Sequence, residues 1–202
     1  MPTTLPIPIE FSLPEGWRPA PPDEVGAPGV AFVALHPEPD AGFTANITVD
    51  GDFWTGGETL ADIAEGAVER LRRAAGPVVV ADRRELGSAD SPALGQRLTF
   101  TAVVAGVPRE LVQSQVYLAM QDVADPHQRV VIRLILTVTA TQEDSVRGDF
   151  QEFLRSVGPD TGAGGRDAGA GGQGAAAGGQ GAGAGGPDAG AGGPDAAAGA
   201  GA

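Results

Sequence analysis

Catalysis needs side chains that titrate, coordinate metals or attack, and this chain of 202 residues is short of them. All 13 of its cations are arginine, and it has neither lysine nor cysteine. Schiff-base chemistry, a phosphate-loop lysine, thiolate nucleophiles and cysteine-held metals are excluded on that ground. The only imidazoles are His36 and His127, each beside a proline in a turn-like string, His36-Pro37 and Pro126-His127, so both are expected in exposed loops. No serine has the flanking of a G-x-S-x-G elbow, since Gly87-Ser88-Ala89-Asp90 lacks the second glycine, and H-E-x-x-H is absent. A hydrolytic enzyme would need His36 or His127 to meet a serine and a carboxylate in space. His36 with Glu38 and Asp40 makes a weak divalent site at most, because alternating prolines hold that strip extended. Asp50-Gly51-Asp52 opens like a calcium loop, but Trp54 takes the third ligand position, and a strand-ending turn is the expectation. Neither a cofactor nor a metal is expected.

One constellation remains. The run from Arg109 to Asp122 alternates Val112, Ser114, Val116, Leu118 and Met120 with Gln113, Gln115, Tyr117 and Gln121, as a strand with two different faces would. In the next run, Arg129 to Thr141, Arg133, Thr137 and Thr139 oppose a Val130, Ile132, Leu134, Leu136 and Val138 row, and in the run before it Arg97, Thr99 and Thr101 are the polar set. If the three strands are neighbours with their polar sets aligned, Arg97, Gln113, Gln115, Tyr117 and Arg133 form a hydrogen-bonding platform with two cations. Side chains rooted in strands suit recognition. The plainer possibilities are the wet face of an antiparallel sheet, or a face half covered by a helix with arginine stems lying on it.

The protein around that platform is acidic. Formal net charge is −13, and the part up to Gly158 holds 22 acidic and 12 basic residues. Such a surface repels phosphate backbones and anionic lipid, so neither nucleic acid nor membrane is an expected partner. Lysine-free usage rich in alanine, glycine, proline and arginine matches a very GC-rich genome, with an actinobacterial source the expectation. The opening MPTTLPIPIEFSLPEGW has no basic segment, no apolar run of signal length and no small-residue cleavage site, and no stretch approaches membrane-spanning length. A cytoplasmic location is expected.

Two regions divide the chain. Residues 1–158 carry periodic apolar order and are enough for one domain with a core. Residues 159–202 contain no leucine, isoleucine, valine, methionine or aromatic residue and should be disordered. Glycine pairs recur there at Gly164, Gly171, Gly178, Gly185 and Gly192, a seven-residue step without the apolar positions that a coiled coil needs.

Within the domain, Ile7, Ile9, Phe11 and Leu13 alternate with polar residues and prolines as an edge strand would, followed by strand-like runs at Val30–His36 and Phe43–Asp50. Thr55 to Glu58 has capping-box spacing before a helix on Leu60, Ile63, Ala64, Ala67, Val68 and Leu71, which Gly76-Pro77 ends. Its late Arg70, Arg72 and Arg73 answer the helix dipole. Four more strands are predicted, Val78–Glu85, Leu94–Val104, Arg109–Asp122 and Arg129–Thr141. A second helix follows, capped at Thr141, with Val146, Phe150, Phe153, Leu154 and Val157 on one face. The fold class is therefore α+β, an antiparallel sheet flanked by two helices in the order β-β-β-α-β-β-β-β-α.

The opening FSLPEGW, the FTANITV strand, the mid-chain helix, the strand ending ILTVTAT and the terminal DFQEFLRSV helix together resemble the Mog1/PsbP-like superfamily, nearest to LpqN/LpqT-type and DUF1795 domains. The resemblance spans nearly the whole domain and rests on pattern rather than on catalytic motifs. It implies an interaction or accessory protein without catalytic residues to carry over. The chain differs from the LpqN type in showing neither signal peptide nor lipidation cysteine. The expected function is a non-enzymatic protein-interaction or accessory domain with a protein partner. A small-molecule or lipid-binding module, with its ligand between sheet and helix, is the alternative.

Overall fold

The computed structural model describes residues 4–123, 125 and 127–160. The disordered tail expected at 159–202 lies, from residue 161 on, outside the described residues. Among the described residues nine strands and two helices follow one another: β1 (Ile9–Glu10), β2 (Arg18–Ala20), β3 (Phe32–Leu35), β4 (Asn46–Phe53), α1 (Leu60–Ala75), β5 (Val78–Gly87), β6 (Pro92–Val104), β7 (Val107–Gln121), β8 (Arg129–Thr139), α2 (Glu143–Ser156) and β9 (Gly158–Pro159). The α+β class and the expected order agree with this, and β2 and β9 are short additions. Seven strands form one antiparallel sheet in the order β2-β3-β4-β8-β7-β6-β5, while β1 and β9 pair separately.

Central β8 has the near-continuous apolar run of a strand buried on both faces. On one face Val130, Ile132, Leu134, Leu136 and Val138 meet Val146, Phe150 and Phe153 of α2. Each phenylalanine buried there contributes about 1.5–3 kcal/mol. On the opposite face α1 places Leu60, Ala64, Val68 and Leu71, one helical stripe, over β5, β6 and β7. Both faces of the sheet are therefore covered.

The N-terminal segment keeps the predicted alternation but not the predicted strand. Prolines at 6, 8 and 14 remove ladder donors, so only Ile9–Glu10 pairs, while buried Ile7 and half-buried Phe11 and Leu13 lie as a strap on the α2 core. In the Phe11–Trp17 string, Trp17 N–H returns to the Pro14 carbonyl at 3.2 Å, and this turn delivers the indole to α2, where Nε1 donates to Asp149 at 2.9 Å. Two predicted caps are also displaced. Helix α1 is capped by Thr59, whose hydroxyl accepts from Asp62 N–H while Asp62 accepts from Thr59 N–H, and α2 starts at N-cap Gln142 without a side-chain cap. The chosen threonine is the one whose third neighbour lies in the first turn of the apolar stripe. Gly158 and Pro159, on either side of the expected boundary between domain and tail, pair with β1.

Hairpin β6–β7 turns on two residues. Val104 pairs with Val107, and Ala105 and Gly106 have φ of 48° and 80°, the I′ geometry that suits the twist of the flanking strands. Alanine is strained there and asparagine tolerates it. Ala105→Asn is expected to raise stability by roughly 0.5–1 kcal/mol, read from the midpoint of urea unfolding.

Candidate recognition cleft between helix and sheet

Register decides which side chains share a face. Gln115 stands between Gln96 of β6 and Ile135 of β8, Tyr117 between Leu94 and Arg133, and Gln113 between Leu98 and Thr137, all beneath α1. Arg97 is opposite Ser114 and so lies on the α2 face. The five-residue platform therefore does not form as expected. Gln113, Gln115, Tyr117 and Arg133 come together, and Arg97 stands apart. The aligned polar sets assumed for β6 and β7 are one residue out of phase, which reverses the face. Nor is the set open to solvent, because Gln113, Gln115 and Tyr117 are buried. The account closest to the structure is the half-covered face.

Beneath α1 the buried polar side chains satisfy one another. Gln96 Nε2 donates to Gln115 Oε1 at 2.6 Å and to the Ala64 carbonyl of α1 at 3.2 Å; Tyr117 hydroxyl donates to the same Gln115 oxygen at 2.7 Å. Gln115 Nε2 donates to Gln113 Oε1 at 2.7 Å, and Gln113 Nε2 to Thr137 Oγ1 at 3.2 Å. At the outer end Arg83 donates to Gln96 Oε1 and to Glu65 of α1, both at 2.9 Å. Burial pushes the Tyr117 phenol up to about 12, so it remains a neutral donor across physiological pH.

Beside this floor runs a cleft of about 400 Å³, walled by α1 at Ala67, Arg70 and Ala74 and by Gly29–Val30 on the other side. Its far wall is charged. Arg133 donates through Nε to Asp50 and through Nη2 to Asp52 at 2.8 Å, which uses two of its five N–H groups. Burial lifts the Asp50 carboxyl above the usual range, and the Arg133 charge opposes that lift. Asp52 is 70% exposed at the lip. Arg70, exposed on α1, also lines the cleft and makes no hydrogen bond or ion pair among the described residues. The cleft thus offers guanidinium donors and carboxylate acceptors over a rigid neutral floor, an arrangement for recognition by hydrogen bonds.

Asp50, Asp52, Arg70 and Gln96 were missed as site residues. Asp50–Asp52 is not a strand-ending turn, since β4 continues to Phe53, opposite Val130 of β8. The signal was present in the period-two set Asn46, Thr48, Asp50 and Asp52, facing Arg133. Arg70 was grouped with Arg72 and Arg73, of which only the latter two fall in the last turn.

The other candidate groups have structural partners. Arg97 binds Glu143 through Nε and Nη2, both at 2.6 Å, and so ties β6 to the start of α2. His36 lies edge-on to Trp17 at 5.2 Å, with Nδ1 close to the Glu38 backbone, and Asp40 accepts from Thr139 and Thr141 rather than turning toward His36. Among the described residues no three His, Asp or Glu side chains are grouped to hold a metal ion, and no helix is long and apolar enough to cross a membrane. Neither His36 nor His127 lines the cleft.

No family model and no curated protein matches the chain by sequence. Among solved structures it is similar to LpqN, involved in cell envelope biogenesis of Mycobacterium tuberculosis, with a TM-score of 0.53 and 13% identity over 74% of this chain and 81% of that one. It is also similar to PsbP of Synechocystis (TM-score 0.47, 15% identity, 75% and 86% covered) and to the Ran-binding protein Mog1p of Saccharomyces cerevisiae (0.46, 13%, 75% and 89%). The chain has the fold of LpqN, one of the domain types its sequence pattern resembles.

Two substitutions probe this arrangement. Tyr117→Phe deletes one donor while Gln115 Oε1 keeps its bond from Gln96, so a loss of about 1 kcal/mol is expected in urea unfolding. For Glu143, the Arg97 hydrogen bond holds the carboxyl below its ordinary 4.5. A depressed folded-state value means that the stabilisation is complete above pH 4.5 and is lost as pH falls through the lowered value. The stability gap between wild type and Glu143→Gln should therefore be constant near neutrality and close below pH 4.5, as unfolding curves across that range will show.

Proposed function

We propose that this chain is a non-enzymatic protein-interaction or accessory domain acting in the cytoplasm, and that its protein partner is recognised at the α1 cleft. The observation that carries this reading is the contrast between a polar floor whose groups are spent on one another and a charged rim that keeps donor and acceptor capacity to spare. Gln96, Gln113, Gln115 and Tyr117 are spent on one another and hold the surface rigid. Arg70, Asp52 and the remaining N–H groups of Arg133 are left to engage a partner's polar side chain or backbone. The cleft ionisable groups also suit binding better than turnover, with a neutral Tyr117 and an Asp50 tied to Arg133. The net charge of −13 favours a neutral or basic protein over nucleic acid or an anionic membrane.

A second reading, a small-molecule module, is favoured by the cleft's volume of about 400 Å³ between helix and sheet. The lining selects a polar ligand over a lipid. Ligand-dependent thermal stabilisation by a polar metabolite would support it.

The test is affinity capture from lysate of the source organism with wild type, Arg70→Glu and Asp52→Arg. Both substitutions sit on exposed lip residues and should leave the melting temperature within a few degrees. Loss of the same captured protein from both variants is expected. An identical set of captured proteins for all three forms removes the cleft as the recognition surface.

A further inference from the structure

At the opposite end of α1 a second and larger concavity opens, a groove of about 670 Å³ between the β4–α1 loop, the first turn of α1 and the β5–β6 hairpin. Its apolar lining includes Trp54, Leu60, Leu86 and Leu94, of which Leu86 is 44% exposed. Trp54 is held rigid, with Nε1 donating to the Glu58 carbonyl at 2.8 Å and the Arg129 guanidinium 4.3 Å from its ring centre. Gly56 and Gly57 have open space where a side chain would stand, which leaves the loop backbone accessible.

Charge points to the occupant. Glu58 and Glu85 line the groove, both exposed and neither carboxylate with a hydrogen bond or ion pair among the described residues, and no arginine lines it. Backbone points the same way. Strand β5 is the outer strand of the sheet, hydrogen-bonded only to β6, and the groove-lining Glu85, Leu86 and Gly87 are its last residues. An extended segment can pair with that free edge while a side chain enters the groove. The register irregularity between Val80 and Asp82 limits such pairing to the end of β5 that adjoins the groove.

We propose that this groove binds an extended basic peptide segment, with one aliphatic side chain seated against Trp54, Leu60 and Leu86 and flanking cations paired with Glu58 and Glu85. The site is separate from the α1 cleft and does not rest on that reading.

The test uses a fluorescein-labelled nonapeptide with a central leucine flanked by arginines, and two counterparts in which serine replaces the leucine or glutamates replace the arginines. Anisotropy titration of the full chain should show the basic leucine peptide binding about tenfold more tightly than the serine form, with no binding of the glutamate form. Glu58→Gln/Glu85→Gln and, separately, Leu86→Ala should each weaken binding about tenfold. The control pair Glu24→Gln/Glu152→Gln, two exposed carboxylates outside the groove, and Arg70→Glu in the cleft should leave it unchanged. Absence of binding, equal affinity for leucine and serine peptides, or equal weakening by the groove and control pairs would overturn the proposal.

Discussion

The phase of β7 against its two neighbours governs this structure. Because β7 pairs with β6 on one side and β8 on the other along most of its length, one choice of phase sets the contents of both layers of the protein. It sends Gln113, Gln115 and Tyr117 toward α1 and Ser114, Val116 and Leu118 toward α2. A slip of one residue would place apolar side chains where Gln96 now finds Gln115, and leave amides facing the phenylalanines of α2. The hydrogen bonds linking Gln96, Gln115 and Gln113 are met only in the observed phase, so the polar network fixes the pairing of the sheet as firmly as the hydrophobic rows do.

Charges are kept where water or a partner can reach them. Beneath α1 the interior uses amides and a phenol, whose burial is tolerable once each is hydrogen-bonded. The ion pairs are placed at the margins of the two layers, Arg133 with Asp50 and Asp52 beside the cleft and Arg97 with Glu143 at the start of α2. Each joins segments distant in sequence. Helix α1 is fixed by its own stripe, its Thr59–Asp62 cap and the Gln96 bond to the Ala64 carbonyl. That rigidity gives the cleft and the groove, at either end of the helix, a common fixed wall.

Much of the fold was legible in the sequence, because helices and long strands announce themselves by period. The apolar stripe from Leu60 to Leu71 and the alternations of β6, β7 and β8 needed no partner to be read. The N-terminal segment was misread because its alternation records burial, whereas strand pairing also requires N–H groups that prolines do not have. The site was legible only in part. Four of the five expected residues do share a face, since each strand's own alternation is local information. Arg97 was misplaced because the phase between strands is not local. For the polar residues of β7 the sequence left a wet face and a half-covered face both open, since a lone strand cannot show that a helix covers its polar side. Asp50, Asp52 and Arg70 were passed over because each had a sufficient local explanation, and only the tertiary arrangement brings them together.

The two ends of the domain are joined. Ile9 pairs with Pro159 and Glu10 with Gly158, Asp160 N–H reaches the Pro8 carbonyl, and Ser156 Oγ accepts the Ser12 N–H at 2.9 Å. This clasp lies with the strap on the α2 side of the sheet. Chain entry and chain exit therefore share one pole, behind the layer whose front carries the cleft. A contact made at this clasp would hold the domain by its back and leave its front free.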